Sequence, residues 1–129
     1  MPRLFLLFNH ALTPEQEKDA WDSIGIHTVV APPHQVRNLW GQVPPDLSGV
    51  YEYLKPVRQW LLSYAGAGDH VLIHGDFGAC FLMAGFALEH GFVPVYSTTR
   101  REAVEIKAAD GSVQLIHQFR HWQFRRYGV

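Results

Sequence analysis

Short apolar runs alternate along the chain with segments in which the hydrophobic residues have helical spacing. The first apolar run is Arg3–Phe8. Continuous apolar runs of this length indicate strands that are buried on both faces of a sheet. The next segment predicts a helix start, with Thr13 as N-cap and Gln16 as its capping-box partner. We expect this helix to end near Gly25 and a second strand to occupy Thr28–Ala31.

The middle of the chain has helical spacing in two places. His34–Gly41 predicts a short helix, and the segment that begins at Pro44 predicts a longer one with apolar residues on one face. Pro56 lies inside this second pattern. Because proline removes a backbone donor and clashes with the preceding turn, we expect a kink or a split at Leu54–Lys55.

Residues 71–102 predict one βαβ unit. A short strand at Val71–Ile73 leads into a nearly wholly apolar helix at Ala79–Leu88, and a second strand at Phe92–Tyr96 follows. Two further β-like runs, Ala103–Ala108 and Ser112–Phe119, flank an Asp-Gly pair that favours a tight hairpin. The predicted fold is therefore α/β and Rossmann-like: a mostly parallel sheet flanked by helices, with right-handed crossovers and a C-terminal β-hairpin.

Composition supports a single domain spanning residues 1–129. Hydrophobic residues make up 47 % of the chain, enough for a core without a disulfide or a structural metal. The single cysteine, Cys80, has no intrachain partner, which is typical of a reducing cytoplasm. The N-terminal apolar run is too short for a signal peptide or a membrane span. We expect a cytoplasmic protein without a cofactor.

Charge is distributed unevenly. Residues 1–99 carry five Lys or Arg against nine Asp or Glu, whereas residues 100–129 carry six against three and are rich in aromatic side chains. Basic and aromatic residues together favour nucleotides or single-stranded nucleic acid. The alternative is that this segment packs its aromatic rings on the sheet and exposes its arginines. Because the whole chain is slightly acidic, we expect a small anionic ligand and no binding to long duplex DNA.

Polar clusters follow three of the predicted strands: Asn9-His10, His74–Gly78 and Ser97–Glu102. Carboxyl ends of parallel strands share one edge of a sheet, where ligands bind. In the second cluster Gly75 and Gly78 allow close backbone approach, and the following helix start offers free N–H groups for a phosphate. Asp76 can alternatively serve only as the helix N-cap. The chain has no GxxxxGK[ST] loop, which excludes P-loop ATP hydrolysis.

The other two clusters carry hydrogen-bonding and titratable groups. Thr98, Thr99, Arg100 and Arg101 combine hydroxyls with guanidiniums suited to phosphate, although the arginines can instead pair with surface carboxylates. His10 offers an imidazole, whose ordinary pKa near neutrality suits general acid or base catalysis; a structural role is the alternative. No HExxH or CxxC spacing occurs, so we predict no metal site.

Four blocks of the sequence resemble one family over nearly the whole chain. They are LFLLFNHALT, VLIHGDFGACFLMAGFA, PVYSTTRREAVE and DGSVQLIHQFRHWQFRRYG. The chain is similar in these blocks to small CRISPR-associated accessory proteins of type III systems. Members of that group are regarded as ring nucleases, which cleave cyclic oligoadenylate second messengers and so switch off the antiviral response.

The resemblance implies a CARF-like fold and a homodimer with the ring on its two-fold axis. It also implies metal-independent cleavage, in which a ribose 2′-hydroxyl attacks its own 3′-phosphate, with cyclic tetra-adenylate as the expected ring. The predicted catalytic residues are His10, His74 and Arg100. The predicted ligand-binding residues are Asn9, Gly75, Asp76, Phe77, Gly78, Thr98, Thr99, Arg101 and His121. Alternative interpretations are a sensor or sponge that binds the ring without cleaving it, and a nucleotide-binding interaction module of the type III complex.

Overall fold

The computed structural model describes all residues 1–129, and its strands and helices alternate along most of the chain. No helix in it combines the length and the apolar character needed to cross a membrane. The elements in chain order are β1 (Arg3–Leu7), α1 (Pro14–Ile24), β2 (Thr28–Val30), α2 (His34–Gly41), α3 (Lys55–Tyr64), β3 (His70–Ile73), α4 (Phe77–Glu89), β4 (Val93–Lys107) and β5 (Val113–Arg126).

All five strands form one sheet in the order β2-β1-β3-β4-β5. The first four run parallel, and β5 pairs antiparallel with β4. The predicted mostly parallel sheet with a C-terminal hairpin is confirmed, and the architecture is compatible with a Rossmann-like fold. The chain first steps from β1 to β2 and then returns to the other side of β1 for β3. The strand order therefore reverses between β1 and β3, which is where ligands bind in open α/β sheets.

Helices cover both faces of this sheet. Side chains of a strand point alternately to opposite faces, so successive residues of β1 and β3 belong to two different cores. Phe5, Leu7, Val71 and Ile73 pack against α2, α3 and α4. Leu4, Leu6 and Leu72 pack on the other face against Ala20 of α1 and against Ile26. Because both faces of the sheet are buried, these strands are continuous apolar runs and do not alternate between apolar and polar residues.

The start and end of α1 agree with the sequence prediction. Thr13 Oγ1 accepts a hydrogen bond from the backbone N–H of Gln16, and the Gln16 side chain accepts one from the backbone N–H of Thr13. Gly25 closes the helix in the left-handed region at φ 67°. Both signals are local, since all the interacting groups lie within a few residues of one another.

The helix predicted from Pro44 onward is wrong in its first half. Residues 44–54 form turns and irregular structure, and α3 begins only at Lys55, so the expected interruption at Leu54–Lys55 is the start of a helix. Pro56 then lies in the first turn, where its missing N–H has no intrahelical acceptor in any case.

The predicted end of the fourth strand after Tyr96 is also wrong. β4 continues through residues 97–102 to Lys107, and it pairs with β5 from Thr99 opposite His121 to Lys107 opposite Val113. The reason is that residues 97–107 contain no glycine or proline to end a strand, and the turn comes only at Gly111, at φ 85°. We call the two-stranded part, residues 99–107 and 113–121, the arm.

The arm extends past the carboxyl edge of the parallel strands. β4 pairs with β3 only as far as Val95, opposite Leu72, and from there runs on in the direction in which the parallel strands end. An extra residue in β5 between His121 and Phe124 shifts the register where the arm leaves the sheet. Such a bulge bends and twists a strand pair. The arm is thus a projection beside the edge where we expect a ligand.

Candidate functional site

The carboxyl ends of β1 and β3 lie side by side. Leu7 pairs with Ile73, and the backbone N–H of His74 donates to the carbonyl oxygen of Leu7 at 2.9 Å. The chain continues from these strands into Asn9-His10 and into the turn that begins at Gly75. Two of the three predicted polar clusters therefore meet at the point where the strand order reverses.

Phe8 connects the two candidate histidines at this edge. The ring centroids of His10 and His74 each lie 5.4 Å from the Phe8 centroid, with His10 in an edge-to-face arrangement. His10 is exposed, whereas His74 is half-buried. The structure thus brings both predicted catalytic histidines to one aromatic side chain and leaves the His10 ring open to solvent.

The His74 ring is fixed by a backbone hydrogen bond from the neighbouring strand. Its Nε2 accepts from the N–H of Ser97 at 2.8 Å. A neutral imidazole that accepts at one nitrogen carries its hydrogen on the other, so Nδ1 is the donor. Burial lowers the pKa of His74, and the nearby His121 lowers it further. His74 is therefore neutral near physiological pH, and the N–H at Nδ1 is its remaining hydrogen-bond donor.

The turn after β3 packs closely on Trp40. The indole Nε1 donates to the carbonyl oxygen of His74 at 2.8 Å. A Cβ atom added to Gly75 would lie 3.0 Å from the same nitrogen, so only glycine fits without displacing the ring. Trp40 itself is buried in the larger core. The close backbone approach that the sequence predicted for Gly75 is thus made to a tryptophan, and the contact sets the path of the turn.

Asp76 caps α4. Its Oδ2 accepts from the backbone N–H of Ala79 at 3.0 Å, which confirms the alternative that this carboxylate is a helix cap. Phe77 follows at the first helical position and is 94 % exposed, and Gly78 is exposed beside it. Ligand binding by these residues stays a prediction. All three residues are exposed to solvent at this edge.

The third predicted cluster is divided by the strand that contains it. Thr98 Oγ1 donates to the backbone carbonyl of Gln123 and accepts from its N–H, which holds the bulge in β5. Thr99, Arg100 and Arg101 lie in the arm and are exposed. Neighbouring residues of a strand point to opposite faces, so the two arginines cannot contact one phosphate from the same side. Arg100 instead stacks over Trp122, with its guanidinium carbon 4.9 Å from the ring centroid.

A third histidine, His121, is held in a chain of hydrogen bonds that the sequence does not reveal. His121 Nδ1 lies 2.5 Å from Ser97 Oγ, and its Nε2 lies 2.7 Å from Asp19 Oδ2. Only 4 % of the His121 side chain is exposed. Ser97 lies in a predicted polar cluster but has no predicted catalytic or binding role, and no pattern in the sequence indicates Asp19. Because Asp19 and His121 are 102 positions apart, no local spacing signals their contact.

An open groove of about 1200 Å³ begins at this edge and runs along α3 and α4. His74 and Gly75 line one end of it, and Lys55 and Arg58 of α3 contribute cations. The remaining lining is largely apolar and includes Leu62, Phe77, Phe81, Phe86 and Leu88. The groove therefore joins the polar strand ends to an exposed hydrophobic surface. No cluster of three or more His, Cys, Asp or Glu residues is arranged to hold a metal ion.

Comparison with known proteins relates the chain to one family. A family model described as "Uncharacterized protein MJ1673 family" matches residues 2–125. A protein of Methanocaldococcus jannaschii, described as "Uncharacterized protein MJ1673", is 41 % identical over 127 residues, which cover 98 % of each chain. The chain belongs to the MJ1673 family. The family match includes the strand edge and the arm, and no solved structure matches the chain.

The hydrogen bond at His74 gives a prediction for stability. In His74→Phe the N–H of Ser97 loses its acceptor, and an unpaired buried donor costs about 1–3 kcal/mol. We expect urea unfolding at pH 7.5 to show a loss of that size. His10→Phe is the matched control, because an exposed residue should change stability by no more than about 0.5 kcal/mol. Equal effects of the two substitutions would contradict the assignment.

The pKa of His74 adds a pH dependence to the same comparison. Because the folded-state pKa lies below that of the unfolded chain, protons bind preferentially to the unfolded protein. The stabilisation is complete above about pH 6.5, the ordinary histidine value, and is lost as the pH falls through the folded-state pKa. The stability difference between wild type and His74→Phe should therefore shrink between pH 7.5 and pH 5. A difference that stays constant would show that His74 titrates normally.

Proposed function

We propose that the protein is a CRISPR-associated ring nuclease that binds and cleaves cyclic oligoadenylate, with cyclic tetra-adenylate as the preferred ring. The observation that carries the proposal is the meeting of Asn9-His10 with His74–Gly78 at the reversal point of the strand order. These are the residues that lie in the LFLLFNHALT and VLIHGDFGACFLMAGFA blocks, on which the resemblance to ring nucleases rests. The fold class is compatible with the CARF-like arrangement of such enzymes.

The edge offers donors for phosphate oxygens. His74 has a free Nδ1–H, and the turn at Gly75–Gly78 exposes backbone at the start of α4. The first N–H groups of a helix lack internal acceptors and carry the positive end of the helix dipole. Asp76 uses one of these donors, the N–H of Ala79, and its charge opposes an anion. Phosphate binding therefore depends on the remaining N–H groups, on His74 and on cations brought by α3 or the arm.

The arm supplies the cations that the parallel strands lack. Arg100 and Arg101 are exposed, and neither belongs to an ion pair, whereas Arg120 is within 4 Å of both Glu15 and Glu102. Arg100 lies against Trp122, so a planar guanidinium and an indole form one surface on which an adenine can stack. In this proposal Arg100 contacts the ring as part of the stacked surface. Arg101 lies on the opposite face of the arm.

The proposed reaction uses His10 as the base. Its exposed ring accepts the proton of a ribose 2′-hydroxyl while the 2′-oxygen forms a bond to the adjacent phosphorus. The bond from phosphorus to the 5′-oxygen breaks, and this oxygen takes a proton from solvent. The products carry a 2′,3′-cyclic phosphate and a 5′-hydroxyl. His74 cannot act as the base in this arrangement because its Nε2 lone pair is occupied, so we assign it to stabilise negative charge through Nδ1–H.

A homodimer completes the site in this proposal. Helix α4 is apolar on nearly all sides: Met83 is buried on the sheet, whereas Phe81 is 79 % exposed and Phe77 and Leu88 are also exposed. Helices that are hydrophobic all round are normally buried, and exposed apolar patches mark interaction sites. We infer that a second copy of the chain covers this exposed face. A two-fold axis parallel to α4 brings the Gly75–Gly78 turns of the two copies to the same end of the interface. Each copy then presents the same groups to a symmetric ring.

The enzymatic claim is tested with cyclic tetra-adenylate in excess over protein and with EDTA present. We expect the ring to disappear with multiple turnovers and to yield linear products that end in 2′,3′-cyclic phosphate, identified by liquid chromatography and mass spectrometry. His10→Ala should slow cleavage by roughly 10²–10⁴-fold, the usual contribution of a general base, while ring affinity is retained.

His27→Ala is the matched control, because His27 is exposed just before β2, on the opposite edge of the sheet. If the ring stays intact and tightly bound, the protein is a sensor or sponge and the proposed enzymatic activity is wrong. Absence of any ring binding would overturn the proposed function.

The dimer is tested by analytical ultracentrifugation. Phe81→Glu places a charge in the middle of the exposed face of α4, and we expect a monomer that has lost ring affinity. Trp21→Glu is the control, since Trp21 is similarly exposed but lies on α1 at the other face of the sheet. A wild-type protein that sediments as a monomer at tens of micromolar, with or without the ring, would contradict the proposed assembly.

A further inference from the structure

Three side chains on the α1 side of the sheet are joined by hydrogen bonds in the order hydroxyl, imidazole and carboxylate: Ser97, His121 and Asp19. The Ser97 hydroxyl lies 2.5 Å from His121 Nδ1, and His121 Nε2 lies 2.7 Å from Asp19 Oδ2. With Asp19 ionised, His121 carries its hydrogen on Nε2, and Nδ1 is free to accept the serine proton. A hydrolytic triad is recognised by this geometry and not by the order of its residues in the chain.

The carboxylate of Asp19 is itself held in place. Ser23 Oγ donates to Asp19 Oδ1 at 2.5 Å, while His121 occupies the other oxygen. Burial raises the pKa of Asp19, but the hydrogen bonds from Ser23 and His121 outweigh it, so the pKa lies below its ordinary value. An ionised carboxylate at this position orients the imidazole and stabilises its protonated form.

The triad lies at a small cleft on the α1 side of the sheet. Ser97 is 8 % exposed, and its side chain is on the same face as Val95 and Phe124, opposite to the face that carries α4. The cleft has a volume of about 340 Å³ and is lined by Thr13, Glu15, Gln16, Thr99, Phe119 and Arg120 in addition to Ser97 and His121. It is therefore separate from the groove along α3 and α4.

The cleft also holds donors beside the serine. Gln16 Nε2 donates to Ser97 Oγ at 3.3 Å, and the first turn of α1 opens onto the cleft. The backbone N–H of Glu15 has no acceptor within the helix because it belongs to the first turn. Donors near the nucleophile can stabilise the oxyanion that forms when a carbonyl carbon is attacked.

We propose that Ser97, His121 and Asp19 form a second catalytic centre, which hydrolyses small polar esters through an acyl-serine. Ser97 Oγ bonds to the carbonyl carbon while its proton passes to His121 Nδ1. The ester C–O bond breaks, and the departing alkoxide takes that proton. Water then attacks the acyl carbon by the same route, releases a carboxylic acid and restores Ser97. A volume near the lower end of ligand pockets restricts the substrate to short acyl groups.

The test uses the full chain and diisopropyl fluorophosphate, which phosphorylates activated serines. We expect one adduct per chain, located at Ser97 by tandem mass spectrometry, and prior treatment should abolish turnover of 4-nitrophenyl acetate. His121→Gln should slow adduct formation by at least about 100-fold, as expected for loss of a general base. Ser112→Ala is the control, because Ser112 is exposed in the hairpin turn, and it should react like wild type.

Ser97→Cys keeps the proposal testable if removal of the hydroxyl disturbs folding. Its thiol should be alkylated by iodoacetamide faster than the buried Cys80. Failure of folded wild-type protein to form the adduct, an adduct at another serine, or an unreactive thiol in Ser97→Cys would each overturn the proposal. Because Ser97 and His10 serve different reactions, loss of one activity leaves the other measurable.

Discussion

The hydrogen bond between the Ser97 N–H and His74 Nε2 is the contact on which the edge of the sheet depends. Backbone pairing between β3 and β4 ends at Val95, so beyond that point a side chain replaces the ladder. The same serine bonds through its hydroxyl to His121, and His121 bonds to Asp19 of α1. One residue thus connects the end of β3, the base of the arm and the helix on the opposite face.

This connection explains why a long β-hairpin is held at one end. A two-stranded ribbon is only marginally stable in water by itself, and the arm has no third strand from Thr99 onward. Its base is fixed by His121 and by Phe124, which packs in the smaller core. Tyr127 adds a further anchor, with its hydroxyl donating to the carbonyl oxygen of Ile73 at 2.7 Å. The arm therefore leaves the sheet from a base that is anchored by packing and hydrogen bonds beside the carboxyl ends of β1 and β3.

The features of the fold that depend on local interactions are predictable from the sequence. The cap at Thr13, the end at Gly25, the cap at Asp76 and the turn at Asp110-Gly111 all depend on groups a few residues apart, and all are present. The continuous apolar runs likewise identified strands covered on both faces. Strand length was not predictable in this way, because polar residues 97–102 resemble a loop unless their antiparallel partner in β5 is known.

The candidate site was predictable in part for the same reason. The topology brings Asn9-His10 and His74–Gly78 together, as the parallel-sheet argument required. It does not bring Arg100 and Arg101 to one phosphate, because adjacent residues of a strand point to opposite faces. The triad of Asp19, Ser97 and His121 joins three distant segments through a β-bulge, and no spacing in the sequence encodes it. The residues at the carboxyl edge of the sheet are consequently easier to predict from the sequence than the contacts of the arm.

The central claim is that a cyclic oligoadenylate lies over the ends of β1 and β3. A crystal structure with cyclic tetra-deoxyadenylate tests it most directly, because this ring lacks the attacking 2′-hydroxyl and cannot be cleaved by the proposed route. We expect phosphate oxygens within about 3.2 Å of His74 Nδ1 and of backbone N–H groups in Gly75–Gly78, with the ring on a two-fold axis. A ring bound only to the arm, or one held by a single copy of the chain away from this edge, would contradict it.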